Sequence, residues 1–191
     1  MNKIISSSAA LLICTGVAHA EVYKLDPAHT NARFNIDHFG TTTNHGGFYN
    51  ISGDLDYNEN NKGSTRLQVE IPVSSINTGN QKFDEHLKSP DLLNAKKFPV
   101  IAFSSSKFHF DSDGKVSAVD GTLTMLGKSN PVTLKASKFN CYESPMFKAR
   151  VCGGDFTTDI DRTQWGVNFL TDMGMTKDVT LQIQVEAVKQ K

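Results

Sequence analysis

The histidines, their neighbouring aspartates and one arginine cluster have the best claim to chemistry in this chain. His29, His38, His45, His86 and His109 are scattered, with Asp26 three residues before His29 and Asp37 beside His38. A histidine next to a carboxylate can serve as an acid–base pair or contribute to a metal site. Hydrogen-bonded structural or surface histidines are the simpler account of so loose a scatter. The chain contains no nucleophile elbow, no phosphate-cradling glycine loop and no paired-histidine metal motif. No catalytic residue, metal or cofactor is therefore expected. Asp161-Arg162-Thr163-Gln164-Trp165-Gly166 is denser, joining an arginine to the chain's single tryptophan and a glycine. Arg162 is a candidate contact for an anionic head group through its bidentate fork. It suits equally an ion pair with Asp159 or Asp161, or stacking on Trp165, and this structural role is the weightier reading.

The ends and the charge narrow the field. Lys3, the apolar run Ile4 to Val17 and the small residues of Ala18-His19-Ala20 form an export signal, with cleavage expected after Ala20. The run is shorter than the roughly 20 apolar residues of a spanning helix, so no stable membrane insertion is expected. Of the three cysteines, Cys141 and Cys152 remain after removal of Cys14. In an oxidising compartment this even pair reads as a disulfide, with two free thiols as the alternative. Twenty basic residues balance twenty acidic ones. Nothing resembles the basic stripe that neutralises phosphates, so nucleic acid is not an expected partner.

The elements that would position these residues are strands. Val179, Leu181, Ile183, Val185 and Ala187 alternate with polar residues, and Leu67, Val69, Ile71 and Val73 repeat the pattern. Phe34-Ile36, Ile101-Phe103, Val119 to Met125 and Val132 to Ala136 follow suit, each a half-buried strand. Turn signals fall at 58–63, 111–114 and 127–130. Residues 83–98 break the alternation and predict one or two short helices, the second starting at Pro90, inserted near an open end. About eight strands with short connections predict an all-β antiparallel barrel or sandwich in one domain, residues 21–191. An eight-stranded barrel is either just filled by side chains or holds one ligand. Periodicity does not separate those outcomes.

Four ordered blocks carry a resemblance. They are Tyr23-Lys24-Leu25-Asp26 with His29-Thr30 and Phe34 to Phe39; His86 to Asp91 with Phe98 to Ser105; Gly121 to Gly127 with Pro131 to Leu134; and Ile160 to Gly166. In these the chain resembles the YceI family of bacterial lipocalin-like polyisoprenoid-binding proteins. Leu92-Leu93 stand where paired phenylalanines are frequent, and the Cys141/Cys152 pair marks a subgroup. The resemblance implies an eight-stranded lipocalin-like barrel in the periplasm, with an elongated apolar channel for a polyprenyl phosphate or an isoprenoid quinone. It implies a binding protein rather than an enzyme. Expected in or near the channel are Phe34, Ile36, His38, Tyr49, Leu87, Leu92, Ile101, Phe103, Leu123, Met125, Leu134, Trp165, Phe169 and Met173, with Arg162 at the head group. Two other readings stay open: an enzyme acting on such a lipid through His29 or His38, and a ligand-free interaction protein with a filled core. Monomer and homodimer also stay open. A strand of about ten residues spans roughly 33 Å, nearer 25 Å in height when tilted by about 40°. A long prenyl tail is thus expected to bend or protrude.

Overall fold

A computed structural model describes residues 21–58 and 61–191; the expected export signal and Cys14 lie outside the described residues. The strands are β1 (Glu21–Leu25), β2 (Asn31–His38), β3 (Thr42–Phe48), β4 (Ser52–Tyr57), β5 (Arg66–Pro72), β6 (Ile76–Asn77), β7 (Val100–Phe110), β8 (Val116–Met125), β9 (Lys128–Ser144), β10 (Ala149–Asp161) and β11 (Asp178–Lys189). One helix, α1 (Gln81–Lys88), interrupts them between β6 and β7.

Eight of these strands close a ring in the order β1-β4-β5-β7-β8-β9-β10-β11, with β11 returning to β1. Every pairing is antiparallel. The fold is therefore the expected eight-stranded barrel, with an addition. Residues 187–189 of β11 pair with β1, while residues 180–184 pair with β2. From there β2, β3 and the two-residue β6 extend a second wall at that end of the barrel.

Alternation produces the core as the sequence predicts. Along β5, Leu67 and Ile71 are buried while Arg66, Gln68 and Glu70 face solvent. Tyr23, Val119, Val151 and Ala187 are likewise buried. Burial of a valine, leucine or isoleucine side chain contributes about 1.5–3 kcal/mol relative to exposure. The Phe103 ring lies so close over Gly121 that a Cβ there would sit 2.3 Å from it. The Trp165 indole N–H, 1% exposed, donates to the Leu123 carbonyl at 2.9 Å, so its burial leaves no polar atom unpaired.

Local chemistry departs from the sequence expectation in two places. The β8–β9 turn is only Leu126-Gly127, both at positive φ, as a two-residue hairpin favours. Lys128 already begins β9, so Pro131 lies inside a strand. It is tolerated because β10 pairs β9 only over residues 135–144, leaving Pro131 hydrogen-bonded from the β8 side alone. Pro90 starts no second helix either. After α1, turns close on Ser89 and Asn94, whose carbonyls receive the N–H groups of Leu92 and Asn94, and of Lys97 and Phe98. Cys141 and Cys152 face each other across β9 and β10 and are disulfide-bonded.

Candidate functional site

An apolar cavity opens at the end of the barrel where β2, β8 and β10 finish and β7 and β11 begin. Successive side chains of a strand point to opposite faces, so β2 directs Phe34, Ile36 and His38 together into it. Opposite them on β3 stand Gly46, Asn44 and Thr42. A Cβ at Gly46 would lie 2.4 Å from the Phe34 ring, so any larger residue there displaces that ring. Ile101 of β7, Met125 of β8, Ile160 of β10 and Val179 and Leu181 of β11 complete the strand walls.

Helix α1 and the turns after it form the remaining side. Asn80 caps the helix by accepting from the Phe83 N–H at 3.2 Å. The Asp84 carboxylate accepts from the Thr78 amide at 2.8 Å and its hydroxyl at 2.6 Å, tying α1 to the end of β6. Phe83, His86 and Leu87, three and four residues apart, share the face that lines the cavity. Leu92 and Leu93 join them from the turns. The His86 ring meets Phe169 edge-on at 4.9 Å. The cavity measures about 330 Å³, within the range of small-ligand sites.

Arg162 is the charged group in this lining, and each of its three nitrogens donates one hydrogen bond to a backbone carbonyl. Nε donates to the Thr176 carbonyl at 2.9 Å, one terminal nitrogen to Val167 at 2.8 Å, the other to Phe169 at 3.0 Å. The guanidinium thereby gathers residues 167–176 around itself. Burial lowers its pKa, with Asp161 opposing the change; arginine keeps its charge regardless. Asp161 does not pair with it directly. Its carboxylate accepts from the Thr163 hydroxyl at 2.6 Å, the Lys177 ammonium at 2.9 Å and the Thr163 amide at 3.0 Å. These partners, the Thr163 hydroxyl foremost, hold its pKa down to about 2.

Of the residues expected at the channel, Phe34, Ile36, His38, Leu87, Leu92, Ile101, Met125 and Phe169 meet in this lining, with Arg162 beside them. Phe103, Leu123, Leu134 and Trp165 are buried in the same core but are not among the lining residues. Tyr49 and Met173 lie outside the lining, 50% and 73% exposed. Phe48, next to Tyr49, faces the cavity, as does Met175, whose apolar side chain the sequence also offers for the interior. Sequence reasoning also passed over Asn44, Ile76, His86, Val167 and Leu170. The i, i+3, i+4 spacing of Phe83, His86 and Leu87 was the available signal for His86.

His29 is remote from the cavity, at the β1–β2 corner. It hydrogen-bonds Asp26 at 2.5 Å and faces Glu186 at 3.9 Å. The Asp26 hydrogen bond, above all, raises its pKa. Asp26, His29 and Glu186 have ligand atoms within 4.8 Å of one another, yet the histidine and Asp26 already satisfy each other.

The YceI-like domain matches residues 23–187. The chain belongs to the YceI-like family. A UPF0312 protein of Enterobacter sp. strain 638 is 33% identical over 185 residues, covering 95% of this chain and 94% of the relative. Protein YceI of Salmonella arizonae is 32% identical over 186 residues, with 96% and 95% covered. The solved Campylobacter jejuni YCEI protein superposes with a TM-score of 0.66 at 26% identity, covering 82% of this chain and 91% of that one. A polyisoprenoid binding domain from Saccharophagus degradans shares the fold, with a TM-score of 0.64 at 12% identity, covering 88% and 98%. Among the described residues no helix is long and apolar enough to cross a membrane.

Proposed function

We propose that this YceI-like chain is an exported periplasmic carrier that holds a long-chain isoprenoid lipid, a polyprenyl phosphate or isoprenoid quinone, without transforming it. The observation that carries the reading is the cavity: about 330 Å³ enclosed mainly by aliphatic and aromatic side chains. Membership of the family and the polyisoprenoid binding named for the Saccharophagus neighbour support it.

Size limits what enters. At the ~30 Å³ that a water-sized group occupies in a liquid, the cavity takes about eleven groups, or roughly two isoprene units. Burying ten such carbons at about 0.8 kcal/mol each gives on the order of 8 kcal/mol, micromolar at best after chain ordering. The rest of a long tail lies along the mouth or displaces core side chains.

Leu181→Trp tests this by filling the cavity with apolar volume and no new charge. Native mass spectrometry after incubation with an octaprenyl lipid should show uptake by the unmodified protein and none by the variant. Overpacking costs about 1–3 kcal/mol where no space exists and less where it does, so the variant should remain folded. Undiminished uptake by folded Leu181→Trp, or no uptake by the unmodified protein, would overturn the proposal.

A further inference from the structure

We propose that the cavity rim is a membrane-docking surface, on which the β2–β3 tip and the loop of residues 168–176 insert apolar side chains into a lipid bilayer while cargo crosses. The inference rests on the lipid-carrier reading and adds how the lipid is collected. Phe39 at the β2–β3 tip is 41% exposed and Met173 on the neighbouring loop 73% exposed. The two tips adjoin: a Cβ placed on Gly174 would stand 4.0 Å from the Phe39 ring. Phe39 packs edge-on against His38, a cavity-lining residue, at 5.1 Å. Leu170, from the Met173 loop, also lines the cavity. Each tip thus carries an exposed apolar side chain within a few residues of one that lines the cavity.

The backbone adds an independent sign. Phe39 and Leu170 both hold positive φ, +56° and +59°, a region bulky side chains rarely occupy and asparagine or aspartate adopt readily. Turn geometry alone would favour a small polar residue at either place; the cavity accounts for the apolar side chain of Leu170, while that of Phe39 serves something other than the turn. Asp37, Asp172 and Lys177 flank the tips with mixed charge, so no anionic head group is selected. Insertion of apolar side chains between lipids is the attraction that remains. The occupant is the bilayer itself, because a water-insoluble prenyl lipid resides there and the two tips stand beside the mouth of the cavity proposed to receive it.

A second apolar tip provides the control. Met146, 88% exposed, and Phe147, 44% exposed, lie in the β9–β10 turn, at the end of β9 away from the mouth. The experiment follows transfer of an octaprenyl quinone from vesicles of phosphatidylethanolamine and phosphatidylglycerol to unmodified protein, to Phe39→Asp/Met173→Asp and to Met146→Asp. Loading from detergent micelles is measured in parallel. Docking makes the transfer rate rise in proportion to vesicle concentration. The double variant should slow transfer at least tenfold, leave micelle loading unchanged and keep its fold, since aspartate is at ease at the Phe39 backbone angles. Met146→Asp should match the unmodified protein. A rate independent of vesicle concentration, equal transfer by the double variant, or equal slowing by Met146→Asp would overturn the proposal. Failure of the unmodified protein to load from micelles would instead remove the carrier reading, and docking with it.

Discussion

Replacing Arg162 by leucine separates an arginine that builds the mouth from one that reads a head group. The side chain is 5% exposed and donates to the carbonyls of Val167, Phe169 and Thr176. Hydrogen bonds from charged donors contribute about 1.5–3 kcal/mol each. The gross loss is therefore at least about 4.5 kcal/mol for three. Loop residues 167–176 can rotate some carbonyls into water, and the variant no longer desolvates a cation. A net loss of about 3 kcal/mol is expected, against a total stability on the order of 5–15 kcal/mol. With a urea m-value of about 2 kcal/mol/M, the midpoint should fall by about 1.5 M. Arg162→Lys keeps the charge but cannot direct a planar fork at three carbonyls, so it should lose about 1 M by the same conversion. Urea unfolding and lipid uptake are measured on both variants. An Arg162→Lys protein with an unchanged midpoint and lost uptake would refute the structural account and make Arg162 a ligand contact.

Two further perturbations test the scaffold. The Cys141–Cys152 bond closes a loop of sequence separation 11, so reduction or a double serine variant should cost about 3 kcal/mol in the chain-entropy account; identical urea midpoints with and without reductant would contradict it. Asp161 has its pKa held down from 3.8 to about 2 by Thr163 and Lys177. Its stabilising effect is complete above 3.8 and disappears as the pH falls through about 2. Asp161→Asn should lower the thermal midpoint at neutral pH and flatten its decline in acid. Parallel acid curves for the two proteins would count against the assigned hydrogen bonds.

The barrel was legible because alternation is local. In β5, β8 and β11 the apolar side chains that recur every second residue are the ones the ring turns inward. The same rule explains the misplaced residues. In β3, Asn44, Gly46 and Phe48 occupy the inward parity, so Tyr49 falls outside, although its size made it the more conspicuous candidate. Glycines and polar residues leave β3 without a readable alternation, which also hid the β2-β3-β6 wall. Arg162 was legible as a structural residue, but its partners were not. The sequence offered Asp159 and Asp161, whereas the folded loop supplies three carbonyls.

Depth was beyond reach for a different reason. Phe103, Leu123 and Leu134 have inward parity, as Ile101 and Met125 do. What separates core from cavity is the material opposite. Phe103 lies over Gly121, and Trp165 reaches the Leu123 carbonyl, so the interior there is filled. Nearer the mouth, β6 is only two residues long, and α1 with the turns after it supplies one side of the lining. A helix rests about 10 Å from the elements it packs against, twice the separation of hydrogen-bonded strands. The cavity lies between that side and the strand walls. No single residue encodes it; its lining joins strand residues to a helix capped at Asn80 and the turns after it, which periodicity registers only as a break.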